Sequence, residues 1–326
     1  MMSSADALPR RVYLDNAATS WPKPTKVLDA AEKFMRECGA TAGRGAYRSA
    51  LLAERWLTDA RYQLAQLLNA ADGHSIAFCS SGTHALNSAL WGLLRPGDHV
   101  ITSATEHNSL LRPLNKMETH YGIRLSVVPC DVSGRLDLNA AQQAVCEETR
   151  WIAVGQASNV TGRILALEPW RELAQQAWPQ SVEVGNLNLP AIVSLAVAAA
   201  ELNPPQNSSL ADTTDADYAG WRAPFNQLVA GLKELPGVTL IGWPERDDSS
   251  DLSAGRIPVV SLQVAGWDVH DLANVLDSSF GIEVRAGWHC AALVHDALET
   301  AASGGTLRLS PGASTTSEEI EWTLAA

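Results

Sequence analysis

From residue 75 onward the chain alternates, at near-constant spacing, between short apolar runs and longer stretches of helical character, and this limits the possible folds more than any other feature. The runs are Ser75 to Cys79, His99 to Ser103, Arg124 to Cys130 and Trp151 to Ala157, while helical stretches follow Gly82, begin at Asn108 and Asp137, and open near Glu168. Strands separated by helices of this length predict parallel βαβ units whose side chains are buried on both faces of the sheet. Ligands of such sheets bind where strands end and helices begin. Pro96-Gly97-Asp98 and Gly134 supply turns between the elements. Ahead of this region, Leu52, Trp56, Leu57, Leu64 and Leu67 recur at helical spacing and predict an amphipathic helix over 50–68. After residue 201 the pattern changes: Asn203-Pro204-Pro205 and the polar run Asn207 to Asp217 read as a connector, with strands expected beyond it near 238–240 and 259–263.

A chain of 326 residues, 46% hydrophobic and 18% charged, can bury one large core or two modest ones. Its net charge of -12 and its few lysines argue against a nucleic-acid or anionic-membrane surface, leaving small molecules or proteins as the expected partners. Cys38, Cys79, Cys130, Cys146 and Cys290 are odd in number and form no CxxC pair, which suits a reducing compartment and gives no reason to expect zinc or another metal. Met1 to Val12 has no apolar signal core, and the longest apolar run, Leu189 to Ala200, is too short and interrupted to span a bilayer. A cytoplasmic location is expected.

Three polar turns stand at the ends of successive predicted strands. Ser80-Ser81-Gly82-Thr83-His84 leads into a helix, whose N-terminal N–H groups and dipole suit a phosphate, although a plain strand-to-helix turn would look the same. Thr105-Glu106-His107-Asn108-Ser109 and Ser158-Asn159-Val160-Thr161-Gly162 occupy equivalent places, so the three are expected to form one site. Further on, Arg285-Ala286-Gly287-Trp288-His289-Cys290-Ala291 sets a thiol between a histidine and small residues, with Arg308 following. An isolated cysteine is more often a small core residue than a reactive one, but an electropositive loop favours the nucleophilic thiolate.

Taken in order, Tyr13 to Thr19, Gly43-Arg44-Gly45, Thr83 to Asn87, Glu106 to Ser109, Ser158 to Gly162, and the Cys290 and Arg308 segments resemble the cysteine desulfurases of the class V aminotransferase family. The resemblance implies an α/β protein of pyridoxal 5′-phosphate (PLP) fold type I, usually a homodimer, which takes sulfur from L-cysteine and hands it to a sulfur-acceptor protein. It implies an N-terminal segment over 1–20, a large PLP-binding domain over 21–200 and a smaller α+β domain over 201–326. It assigns Ser81, Gly82 and Thr83 to the PLP phosphate, His107 to the pyridine face, and Asn159 to the cofactor and substrate. Arg308 would grip the substrate carboxylate, a task suited to a planar bidentate donor, and Cys290 would carry the sulfur as a persulfide. Asn186 stands where the family usually has a threonine that reaches the partner subunit's phosphate, and His84 replaces a common acidic residue.

The chain departs from the family where chemistry is most demanding. The family's PLP lysine, in a Ser-x-His-Lys segment, and the Asp-x-x-Gln ahead of it belong between the Asn159 turn and Asn188, and neither is present. Pro169 to Trp178 runs through Pro179-Gln180-Ser181 directly into Val182-Glu183-Val184-Gly185. This junction, at 178–182, would omit about three strand-plus-connection units, on the order of 70 residues. Without a lysine to move protons and an aspartate to keep the pyridine an electron sink, little or no turnover is expected. The sheet is expected to be truncated in its middle, with open edges. Three origins fit: an internal omission from an active desulfurase, a non-catalytic interaction protein that keeps the dimer surface, or a class V PLP enzyme of other chemistry. Ala326 falls inside the helix expected from Ser317, so a longer chain is also expected.

Overall fold

A computed structural model describes residues 11–43, 45–68, 70–177, 219–243 and 255–326. They divide into two compact units, one of residues 11–21, 87–177, 220–243 and 255–326 and the other of the described residues between 22 and 86. In chain order the elements are β1 (Val12–Tyr13), α1 (Thr25–Glu37), α2 (Arg48–Leu67), α3 (Gly82–Leu93), β2 (His99–Ser103), α4 (Asn108–Tyr121), β3 (Arg124–Val128), α5 (Leu138–Ala144), β4 (Thr149–Ala153) and α6 (Glu168–Ala177). There follow α7 (Ala219–Glu234), β5 (Val238–Ile241), β6 (Val260–Val264), α8 (Val269–Phe280), β7 (Ile282–Glu283), β8 (Arg285–Gly287), α9 (Ala292–Ala297), β9 (Thr306–Leu309) and α10 (Ser317–Ala325). The expected connector, Asn186 and the junction at 178–182 lie outside the described residues.

Within the first unit, β3, β2 and β4 form a parallel sheet in that order. The expectation of strands buried on both faces holds only for central β2, all five residues of which are buried. Arg124 and Val127 of β3 and Arg150 of β4 are exposed, and among the described residues each of these strands has a neighbour on one side only. Ile101, Val128, Ala141, Trp170 and Leu173 make the core between the sheet and its crossover helices. His107 caps α4 by accepting from Ser109 N, Asp137 caps α5, and Gly122 closes α4 at φ 84°, a left-handed position that a side chain disfavours.

An antiparallel sheet of order β5-β6-β9-β8 completes this unit. Its core takes Phe225, Leu228, Val260, Leu307 and Ile320 together with Val12 and Leu14. Alternation along an extended segment sends those two inward, and β1 is held by parallel pairing with β7 and by Arg11 on Glu283 at 2.7 Å. The first residues of the described chain are thereby built into its last third.

In the second unit, α2 buries Ala50, Ala53, Leu64 and Ala65, whereas α1 buries none of its residues and leaves Leu28 and Met35 exposed. The run Ser75 to Cys79, expected as a strand, is not one. Asp72 Oδ1 accepts from His74 N at 2.7 Å and turns 73–75 into a short 3₁₀ segment; Ile76 after it is extended, and residues 76–79 have no ladder partner among the described residues. Apolar composition makes a strand only where a neighbour offers backbone groups to pair with.

Candidate active site

The loop between β8 and α9 carries Cys290 on an unusual backbone. His289 and Cys290 are consecutive non-glycine residues at positive φ, 48° and 58°. Side chains disfavour that region by roughly 1–2 kcal/mol each, so the surroundings must enforce it. Four contacts do so. Asn159 Nδ2 donates to His289 O at 2.6 Å, Asn108 N donates to Cys290 O at 2.7 Å, and Ala291 N closes on Trp288 O at 3.0 Å. His289 Nε2 lies 3.0 Å from Thr306 O and 2.9 Å from its hydroxyl. A carbonyl can only accept, so Nε2 bears the proton and the buried Nδ1 has no partner. Cys290 remains exposed, with Arg285 Nη2 at 3.5 Å from its sulfur.

The histidine beside the thiol therefore does not supply the charge that its sequence position suggests. Burial, and then the charges of Arg308, His295 and Arg285, push the His289 pKa down to about 3 despite its bond to Thr306, and the ring is neutral. Of the electropositive setting, Arg285 is the part that touches the sulfur.

Arg308 is 1% exposed. Antiparallel pairing sets it directly across from Arg285, a like-charge neighbour. Asp15 answers that charge: Arg308 Nη2 donates to its Oδ1 at 2.6 Å, while Nη1 reaches Asn159 O at 3.2 Å and the buried Nε is left bare. Burial lowers the Arg308 pKa, and the bond and charge of Asp15 oppose it. Sequence reasoning quoted Asp15 within a motif without giving it a task; only the pairing of β1 with β7 brings it 293 positions along the chain to its partner.

The Asn159 turn is fixed from below. Ser158 Oγ accepts from Val160 N and Thr161 N, Ser261 Oγ donates to Val160 O at 2.6 Å, and buried Arg256 donates to Thr161 O at 2.6 Å and Gly242 O at 2.7 Å while lying 3.9 Å over the Trp243 ring. Gly162, at φ 72°, passes so close to Val259 O that a Cβ there would meet it at 2.4 Å. Arg256 had no signal in the sequence, being one arginine in a polar stretch.

His107 and Asn159, which follow the C-terminal ends of adjacent β2 and β4, thus meet the Cys290 loop through Asn108 and His289. The His107 ring is exposed, holds Ser109 through Nδ1, and has its pKa lowered by partial burial and then by Arg285. Glu106 beside it is buried, accepts from Ser103 Oγ at 2.7 Å and Gly155 N at 2.8 Å, and has its pKa raised by burial. Ser81, Gly82 and Thr83 open α3, where Ser81 Oγ accepts from His84 N at 3.1 Å, so the residue that replaces the common acid takes part in the cap. Among the described residues no three His, Cys, Asp or Glu side chains are grouped to hold a metal ion, and no helix is long and apolar enough to cross a membrane.

A parallel sheet with polar turns past its strand ends, a second antiparallel sheet presenting a cysteine and an arginine, and an N-terminal strand clasped to the latter define the class of PLP proteins of fold type I. The chain belongs to the class V aminotransferase family, whose model matches residues 12–184 and 169–322. It is 28% identical over 389 positions to a probable cysteine desulfurase of Pseudomonas aeruginosa, covering 98% of this chain and 93% of that one. It is 27% identical over 378 positions to a probable cysteine desulfurase of Methanothermobacter thermautotrophicus, covering 95% and 92%. In fold it is similar to the apo structure of cysteine desulfurase from Thermococcus onnurineus NA1, with a TM-score of 0.78 at 22% identity and coverage of 97% and 93%.

Members of this family are PLP-dependent. The residues present fit that cofactor only in part. The α3 N-terminus and the exposed His107 imidazole are each of a kind that would suit a phosphate or a ring face, but the sequence has no lysine between Lys116 and Lys233 and no aspartate between Asp137 and Asp212. Lys116 is exposed on α4, nine residues beyond His107 and so about 13 Å further along the helix. Lys233 lies over the Trp243 ring at 5.3 Å. No lysine stands in the stretch where the resemblance to the family would put it, so the residues there do not supply a covalent hold for PLP.

Proposed function

We propose that this protein has the architecture of a cysteine desulfurase, with Cys290 the thiol that would take sulfur from L-cysteine and pass it to an acceptor protein, and that the chain as it stands turns over L-cysteine very slowly or not at all. The observation that carries the second half is the lysine-free stretch from Lys116 to Lys233. An omitted block is supported by two further facts. The alignment with the Pseudomonas aeruginosa protein runs over 389 positions although this chain has 326 residues, and the family model matches in two pieces that overlap at 169–184.

The chain's own groups suit the remaining tasks. Cys290 is presented to solvent on a backbone held at four points, with a guanidinium against its sulfur. Arg308 is fixed in place by Asp15, and an incoming carboxylate reaches its fork by displacing that side chain or by using the bare Nε. Asn159 keeps the Cys290 loop closed through the His289 carbonyl. A cytoplasmic, reducing setting agrees with the free state of all five cysteines. A second reading, a non-catalytic protein that pairs with its own kind, is favoured by the exposed Leu28, Met35, Tyr47, Leu51 and Tyr62 on or beside α1 and α2.

The test is to purify the chain, add PLP and L-cysteine, and follow the absorption of protein-bound cofactor and the release of sulfide. Vigorous sulfide release would overturn the proposed inactivity. Reading the coding DNA across Gln180 to Val182 separates the two origins: an intact intervening block indicates an omission, and an uninterrupted junction indicates a non-catalytic relative.

A further inference from the structure

The parallel sheet carries a second set of polar groups at the other end of its strands from His107 and Asn159. Ladder register puts it there. His99 pairs with Arg124 on one side and Thr149 on the other, so the first residues of three adjacent strands stand in one row. Cys146 lies in the turn ahead of β4, its N–H donating to Thr149 Oγ1 at 2.9 Å. Its sulfur is 3.4 Å from His99 Nδ1, 3.5 Å from Thr149 Oγ1 and 3.5 Å from Arg124 Nη2. The far ring nitrogen, Nε2, is 2.9 Å from Ser126 Oγ. Glu148 also belongs to the cluster, pairing with Arg124 at 2.9 Å and hydrogen-bonding the thiol.

A nucleophile within reach of a base, with that base oriented by a third group, is the arrangement that activates a thiol. Two other half-buried cysteines have different surroundings. Cys38 donates to Ser49 O at 3.2 Å, and Cys130 is pushed up to about 11 by burial and then by Asp131. Nδ1 of His99 is also 2.8 Å from Thr149 Oγ1, so hydroxyl and thiol share that nitrogen, while burial and then the charge of Arg124 lower the His99 pKa against Glu148 and keep the imidazolium form short-lived.

We propose that Cys146, His99 and Ser126 form a second nucleophilic thiol site, separate from Cys290, that exchanges with low-molecular-weight disulfides of the glutathione type. The Cys146 proton passes to His99 Nδ1, directly or through the Thr149 hydroxyl, and the sulfur attacks one sulfur of the disulfide. One S–S bond breaks as another forms, and the departing thiolate takes the proton back from His99. One disulfide is consumed and one produced, so no outside oxidant is required. The half-buried position of Cys146 admits a small disulfide more readily than a protein surface. The site stands independently of the role given to Cys290.

The experiment treats the full chain bearing Cys290→Ala, which silences the exposed thiol, with glutathione disulfide under native conditions and maps the mixed disulfides by peptide mass. Cys146 is expected to react at least about ten-fold faster than Cys38 and Cys79, which are also half-buried and serve as internal references. His99→Asn is expected to remove most of that advantage, and Glu148→Gln, which takes away the competing proton acceptor, to preserve or increase it. Ser126→Ala perturbs only a half-exposed hydroxyl and decides the matter if the buried His99 variant fails to fold. Equal labelling of the three cysteines, or a fast Cys146 left unchanged by Ser126→Ala and by any folded His99 variant, would overturn the proposal.

Discussion

At the scale of single residues, the site depends on charges and rings kept in one protonation state. Removing Asp15 by Asp15→Ala leaves the Arg308 guanidinium buried opposite Arg285 with no counter-charge, and breaking such a pair costs about 3–5 kcal/mol. A lowered urea midpoint measures it, and Asp15→Asn, which can still accept a hydrogen bond, should lose less. His289 gives a pH dependence of definite sign. Its folded pKa is about 3, below the ordinary 6.5, so the unfolded chain binds the extra proton between these values. Stability from the neutral ring is complete above pH 6.5 and is lost as pH falls toward 3, by roughly 2 kcal/mol between pH 7 and pH 5. Urea titrations at the two pH values check it, and a His289→Gln variant should show a smaller loss.

At the scale of elements, the helices and most of the strands were legible: those expected near 99–103, 124–130, 151–157, 238–240 and 259–263 are present, and the one at 75–79 is not. The predicted helix over 50–68 appears as Arg48–Leu67, and those expected at Asn108, Asp137 and Glu168 begin within a residue of these positions, because caps and apolar spacing are local. The strand expected at Ser75 to Cys79 fails because pairing depends on what else is present to pair with, which no window of sequence contains. The same limit hid Asp15 and Arg256. Each is found only once register and topology bring distant segments together, whereas Cys290, Asn159 and His107 announced themselves by lying in loops at strand ends. The misjudged role of His289 has a similar cause: adjacency to a thiol along the chain says nothing about which way a ring turns, and here it turns inward to Thr306.

At the scale of the whole molecule, the sheet expected to be truncated in its middle is represented among the described residues by three parallel strands, and both outer ones are half exposed. The apolar side chains left uncovered on α1 and α2 support self-association, and light scattering is expected to give twice the chain mass of 34.9 kDa. A mass of one chain at micromolar concentration would remove the homodimer from the proposal. The clasp of β1 to β7 also has a bearing on biosynthesis. Val12 and Tyr13 pair with Ile282 and Glu283, which are made far later, so Val12 and Leu14 stay unburied until that stretch of chain has been synthesised.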